Sequence, residues 1–446
     1  LAAPNRGKAS PLASVVPCFG GYRLFGWVDG AMSVLEKRIP ATLVEDDALW
    51  QGLLFSLKEN TASQELSPAG ILSALGAIYV SLAEAPAAVA YRVCTRECAI
   101  SLCSVLRPIH LQALSQWPEH LGGGRRGVSS LCYIVSRICY FCYSNNQSLP
   151  ANVVAEFEGF LKHYDLMRGL VMGIQVAEST AMSLPVSLCS RLVLGDQGFA
   201  KQFMEYRGLD PVFVHKTLDE SNLPTVLVDS LLLISQLARL SKDNYEAIHK
   251  SEMYGHVAKL LRHTDPAVRA KACNLLGNLC RHSDYFYAML EMYRLLPLLI
   301  ERCGDQDRST RKFACFAIGN AGFHNDSLYP SLKEGIPALI KLLSDPEEKT
   351  RANAAGALGN LVRNSGILAG ALVANNAHLQ LLNIAERDSL SPRRIALFSL
   401  GNFCSIEECR EALLQANIEK VMSNLSKDSD DTVRKYVDRM RIKLKK

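Results

Sequence analysis

Along most of the chain, apolar residues return every three to four positions in blocks separated by polar turns, the spacing of helices buried along one side. Ala48 to Leu57, Ile71 to Leu82, Val89 to Leu106 and Val128 to Tyr143 are the first such blocks. Further on the blocks become periodic. Gly-Asn stands at Gly277-Asn278, Gly319-Asn320, Gly359-Asn360 and Gly401-Asn402, at spacings of 42, 40 and 42. Eight residues before each Gly lies an Arg (Arg269, Arg311, Arg351, Arg393), and five before it an Ala (Ala272, Ala314, Ala354, Ala396). Three columns in register define a repeat.

Each unit opens on a shorter apolar segment: Tyr254 to Thr264, Leu295 to Asp305, Gly335 to Asp345, His378 to Asp388 and Ile418 to Asp428. In the turn that follows, Asp265-Pro266 and Ser391-Pro392 place a capping side chain ahead of a proline, which starts a second helix. That helix, as in Arg351 to Val362, carries Ala354, Ala355, Leu358 and Leu361 along one side, and its small residues permit close stacking. Such a unit cannot bury its apolar face alone, so neighbours must stack. The predicted fold is all-α, an armadillo/HEAT-type right-handed α-solenoid of roughly ten helical repeats. Armadillo is preferred to HEAT for the Gly335-Ile336-Pro337 entry and the Asn column. Upstream, Gln236 falls in the Asn slot, and a further unit covers Ser187 to Leu232. The chain divides into 1–40, a linker or atypical cap; 41–186, divergent helical repeats with a Gly-rich break at Gly122 to Gly127; 187–429, armadillo repeats; and 430–446, a basic capping helix.

Composition narrows the function. With 48% hydrophobic residues in 446 the chain can bury a large core, and a net charge of +5 is too small at this length to mark a nucleic-acid binder. Leu1 in place of Met reads as a fragment of a longer polypeptide. The most apolar stretch, Ile71 to Ala83, is too short to span a bilayer. Most of the 14 Cys fall inside apolar helical blocks, which predicts buried reduced thiols and a cytoplasmic protein. Cys94/Cys98 and Cys139/Cys142 have metal-ligand spacing but read as core packing rather than a tetrahedral site. Phosphate-binding loops, kinase motifs and nucleophile elbows are all missing, so the chain is expected to be non-catalytic and without cofactor.

If the second helices line one face of a curved array, positions −7, −4, 0 and +4 from the Asn share a stripe. The stripes are Lys271, Asn274, Asn278 and His282; Phe313, Phe316, Asn320 and His324; Asn353, Gly356, Asn360 and Asn364; and Ile395, Phe398 and Asn402. Their amide, aromatic and basic groups break the Leu and Ala pattern, which predicts exposure. A ladder of carboxamides could pair with the backbone of an extended peptide while the aromatics receive its side chains. Alternatively, each Asn bonds a neighbouring helix and only maintains repeat geometry. The Arg column is expected to pair with carboxylates or carbonyls between repeats. Thr432 to Lys446 holds seven basic residues against Asp438, a capping helix whose solvated side offers a surface to an acidic partner.

Ala272 to Tyr287, reading ACNLLGNLCRHSDYFY, and Arg311 to Asn325, reading RKFACFAIGNAGFHN, go beyond generic armadillo character. They resemble the C-terminal region of Fused-family serine/threonine kinases, plant members included. The resemblance is specific over roughly 265 to 405. It implies armadillo repeats that follow a kinase domain and serve as a protein-binding platform. The implied partners are kinesin-like motors in cytokinetic or ciliary microtubule arrays, or Hedgehog-type signalling components. An importin-like transport receptor is the alternative. It would carry Trp four residues before each Asn, where this chain has Asn274, Phe316, Gly356 and Phe398.

Overall fold

The computed structural model of the protein describes residues 47–62, 71, 75–76, 78, 86–121, 123–144 and 149–445. The proposed linker or cap at 1–40 lies outside them. Among the described residues every regular element is a helix, and the chain is a helical solenoid. Its spine is a stack of eight long helices: α1 (Gly124–Ser144), α2 (Ser183–Gly195), α3 (Pro224–Leu240), α4 (Pro266–Leu279), α5 (Arg308–Ala321), α6 (Glu348–Asn360), α7 (Leu390–Phe403) and α8 (Asp431–Leu444). Each packs on the next. Shorter helices brace the stack, Leu295–Arg302 on α5, Ile336–Leu342 on α6 and Ala377–Arg387 on α7. One apolar core runs from Trp50 to Met440 without interruption.

Three of the long helices, α4, α5 and α8, start at acidic caps. Asp265 Oδ1 accepts the N–H groups of Ala267 and Val268 ahead of Pro266, and Asp307 and Asp430 accept those of Thr310 and Val433. Ser391, expected to cap the fourth repeat, does not. There the helix starts at Leu390 with Ser389 as the flanking residue. Pro392 is tolerated within the first turn, because N–H groups there lack an intrahelical acceptor anyway. The Gly-rich break also differs from expectation, since α1 begins inside it at Gly124. That residue has φ +66°, and a Cβ would approach Glu119 Cγ to 2.7 Å.

The Arg column ties each repeat to the next. Arg269 Nε and NH2 grip Asp305 at 2.8 Å each, while its NH1 bonds the carbonyls of His263 and Thr264. Arg311 binds Asp345 and the Asp305 and Gln306 carbonyls, Arg351 binds Asp388 and the Asp345 and Pro346 carbonyls, and Arg393 binds Asp428 and the Asp388 carbonyl. Every one of these aspartates also accepts a nearby backbone N–H, from Asp307, Glu347, Ser389 or Asp430, so it shapes its own turn while holding the previous repeat.

All thirteen described cysteines are buried free thiols, with Cys94 Sγ 3.2 Å from Cys142 Sγ. Among the described residues no group of three His, Cys, Asp or Glu side chains could hold a metal, and no single helix is long and apolar enough to cross a membrane.

Candidate functional site: the Asn stripe

An α-helix leaves its last carbonyls without intrahelical donors. At the end of α4, Cys280 N–H bonds Leu276 O and Arg281 N–H bonds Asn278 O, passing over Gly277 O between them. Asn320 Nδ2, from the next repeat, donates to that carbonyl at 2.8 Å. The same joint recurs as Asn360 Nδ2 to Gly319 O at 2.8 Å and Asn402 Nδ2 to Gly359 O at 3.1 Å. Asn278 donates instead to Ser235 Oγ at 2.8 Å, because Ser235 fills the Gly slot of α3.

Glycine completes the joint by letting the helices approach. A Cβ on Gly277 would lie 2.5 Å from the Phe316 ring and 3.2 Å from Ala317 Cα, and one on Gly359 would lie 2.3 Å from Ser399 Oγ and 2.7 Å from Ser399 Cα. The Gly-Asn pair is therefore one mechanical unit, the Gly giving room and a carbonyl, the following Asn supplying the donor one repeat later.

The expected exposure of the column fails at its two ends. Asn278 and Asn402 are each only 5% exposed, whereas Asn320 and Asn360 are half-buried. The +4 residues also sit differently from the predicted single helix stripe, since α4, α5 and α6 have ended before His282, His324 and Asn364. From the turns those side chains reach back to the preceding repeat, at Arg239 O, Cys280 O and Phe323 O. Asn353 Nδ2 does likewise to Lys312 O, at 3.1 Å. Asn274 lies beside Asn278, its Oδ1 accepting from Asn278 Nδ2 at 3.4 Å.

What remains open lies at −7 and −4 of the middle repeats. Phe313 is half-buried between two ammonium groups, with Lys271 Nζ 6.0 Å and Lys312 Nζ 5.0 Å from its ring centre. Phe316 lies half-buried against Gly277, and Ile395 packs beside Gly356. Burial, and then Lys312, hold the Lys271 ammonium below the ordinary lysine pKa, with Asp229 acting the other way. Asp229 itself is pushed up to about 6 by burial, against the opposing effects of the Ser187 hydroxyl and Lys271.

At the far end the stripe is closed. Arg439 stacks over Phe398 at 5.1 Å and bonds Asn402 Oδ1 at 3.2 Å, while Tyr436 meets the Phe398 ring edge-on. Lys443 Nζ donates to Gly401 O at 2.6 Å, taking the place that Asn320, Asn360 and Asn402 hold one repeat earlier. The basic helix α8 is thus built as the long helix of a further repeat, with Val433, Val437 and Met440 fully buried.

A second set of donors was missed in the sequence. Tyr287 OH donates to Asn320 O at 2.8 Å, and Tyr329 OH bonds Asn360 O, so these buried rings satisfy the carbonyls next to the Gly-Asn joint. The signal was present as Tyr245, Tyr287 and Tyr329, spaced by 42.

HEAT repeats match residues 296–369 and a HEAT repeat matches 253–283, the near relative of the armadillo unit. Serine/threonine-protein kinase TIO of Arabidopsis thaliana is 31% identical over 479 residues, covering 92% of this chain and 36% of that protein. Serine/threonine-protein kinase 36 of Pongo abelii is 35% identical over 192 residues, 41% of this chain and 15% of that protein. The Mus musculus protein of the same name is 30% identical over 277 residues, with coverages of 59% and 20%. The chain thus spans little more than a third of the Arabidopsis protein and less of the other two. The crystal structure of an engineered protein, 17% identical, covers 94% of the chain at a TM-score of 0.65 and is itself 99% covered; a second, 18% identical, covers 52% at 0.50. These likenesses show the fold. The chain is homologous, along nearly all of its length, to part of the Fused-family serine/threonine-protein kinases.

Proposed function

We propose that this chain is the non-catalytic, partner-binding repeat region of a Fused-type serine/threonine kinase, and that an extended segment of a partner protein lies across the middle of the Asn stripe. The observation that carries this reading is the half-exposed set Phe313, Phe316, Asn320 and Asn360, placed between a buried end at Asn278 and a capped end at Asn402. With Nδ2 committed to the joint, Asn320 and Asn360 present their Oδ1 atoms to accept backbone N–H groups. Homology to serine/threonine-protein kinases supports a kinase as the parent, and the reading extends to a cytoplasmic setting, on cytokinetic or ciliary microtubule arrays or in Hedgehog-type signalling, with a kinesin-like motor or a signalling component as partner. A transport receptor is disfavoured because basic cargo would meet Lys271 and Lys312.

The test is affinity capture from a lysate with the whole chain as bait, beside a Phe313→Ala/Phe316→Ala variant. Capture of a motor or signalling protein by the wild type alone, at similar melting temperatures, is the expected result. Identical captures by both baits would remove the stripe from partner binding.

A further inference from the structure

Lysine 271 stands apart from the other cations of this face. At the −7 position the four repeats carry Lys271, Phe313, Asn353 and Ile395, so only the first places a charge there. Other half-buried cations along the stack have carboxylate partners: Lys312 reaches Glu347 at 3.2 Å and Arg394 binds Asp430. Lys271 forms no ion pair or hydrogen bond among the described residues. The nearest carboxylate that acts on it, Asp229, is bonded to Ser187. This half-buried ammonium has lost hydration and has only the distant Phe313 ring, 6.0 Å from its Nζ, in place of an acceptor.

From this geometry we propose that Lys271, Phe313 and Lys312 form a seat for the carboxylate of an Asp or Glu side chain on an extended partner peptide. The inference rests on the reading of the stripe as a binding face and names the chemistry of its occupant. Both ammonium groups lie within 6.0 Å of one ring centre, so a carboxylate that approaches Phe313 meets the field of two positive charges. The acid supplies the acceptor that Lys271 lacks. Asn320 and Asn360 then fix the adjoining backbone. Neighbouring helix axes lie about 8–10 Å apart, which two to three residues of extended chain, at about 3.3 Å each, would span. The seat is thus followed by one anchoring carboxamide every two or three peptide residues.

The experiment is fluorescence anisotropy on the full chain with three labelled peptides of equal length, alternating Glu-Thr, Gln-Thr or Lys-Thr. Variants are Lys271→Gln, Lys271→Arg and, as a control on the exposed side of the Ile336–Leu342 helix, Lys341→Gln. Expected is binding of Glu-Thr that falls about tenfold or more in Lys271→Gln, persists in Lys271→Arg and is unchanged in Lys341→Gln. The Lys271→Gln chain should melt no lower than wild type, since the substitution removes a half-buried charge with no ion pair or hydrogen bond among the described residues, and the Phe313 ring contact at 6.0 Å is long. Equal binding of Gln-Thr and Glu-Thr overturns the acidic seat but leaves the binding face intact. Preference for Lys-Thr overturns it in favour of a basic ligand. A loss shared by Lys341→Gln reduces the effect to overall charge and overturns it too. Absence of binding by any peptide also refutes the seat, while lysate capture separately judges the face.

Discussion

Gly359 and Gly401 occupy the same column, yet the structure predicts opposite results for the same substitution to alanine. In a helix interior Gly→Ala gains about 0.5–1 kcal/mol through backbone entropy and helix propensity. At Gly401 the added Cβ would find Met440 Cγ at 3.7 Å, an ordinary contact, so the gain survives and stability rises by about 0.5–1 kcal/mol. At Gly359 it would meet Ser399 Oγ at 2.3 Å, Cβ at 2.4 Å and Cα at 2.7 Å. The last is backbone, so no rotamer change relieves it, and α6 must separate from α7. Overpacking costs about 1–3 kcal/mol. Separation also stretches the 3.1 Å bond from Asn402 to Gly359 O, and a buried acceptor left unpaired costs about 1–3 kcal/mol more. Less the propensity gain, Gly359→Ala should lose about 1–5 kcal/mol. Gly277→Ala falls between, because its closest obstacle is the Phe316 ring, which can swing, and Gly319→Ala, with 3.4 Å to Ala357, should be near neutral. Stacked repeats need not unfold in one step, so the assay is native-state hydrogen exchange of α6 and α7 alongside urea unfolding. Equal effects at 359 and 401, or a Gly359→Ala chain as stable as wild type, would refute the account of the joint.

The remaining predictions concern charge, capping and thiols. Arg351→Ala should cost about 3 kcal/mol by leaving the largely buried Asp388 without its guanidinium, and the double variant Arg351→Ala/Asp388→Ala should recover part of that in denaturant unfolding. The Asp388 carboxyl is held below its ordinary pKa chiefly by Arg351. At Asp305 burial pushes upward but is outweighed by Arg269 and the Asp307 N–H. Because both folded values lie below the unfolded value near 3.8, their stabilisation is complete above that pH and is lost as pH falls through the folded values. Unfolding free energy should therefore drop below about pH 4, less steeply in Asp388→Asn. Deleting 431–446 should speed amide exchange in α7 while leaving α3 and α4 protected, since stability in a stack is a nearest-neighbour sum; uniform loss would contradict this. Thiol titration of the native chain should leave the thirteen buried cysteines unreacted until denaturant is added.

The sequence displayed the stack because its columns repeat in residue type. Arg269, Arg311, Arg351 and Arg393 announced a constant donor, and the carboxylates and turn carbonyls expected for them are what they bind. The acceptors were harder to see. Asp305, Asp345, Asp388 and Asp428 stand at spacings of 40, 43 and 40, at the ends of the short segments, but only the packing shows that each closes its own turn and grips the Arg before it. Lys443 is invisible to any search for identical residues, since it shares with Asn402 only an N–H donor placed about one repeat after a glycine carbonyl. Nor could helical spacing reveal that α4 stops at Leu279, which moves His282 from a helix stripe into a turn.

Two uses compete for the Asn column, and accounting for polar groups separates them. Each carboxamide has two N–H groups and one oxygen; at Asn320, Asn360 and Asn402 the structure commits a donor to the orphan carbonyl of the preceding helix. The same need arises in every repeat, so the residue that meets it stays nearly constant along the chain. Partner recognition calls for the reverse, a position whose chemistry differs from one repeat to the next while the backbone stays the same. Positions −7 and −4 fit that description, running Lys271/Asn274, Phe313/Phe316, Asn353/Gly356 and Ile395/Phe398. The constant columns thus build a regular frame, and the variable ones decide what lies on it. Substitutions at Asn320 should accordingly register first in stability, by about 1 kcal/mol for Asn320→Ala, whereas those at Lys271 and Phe313 should register first in binding. A variant series in which Asn320→Ala abolished binding at unchanged stability would reverse that assignment.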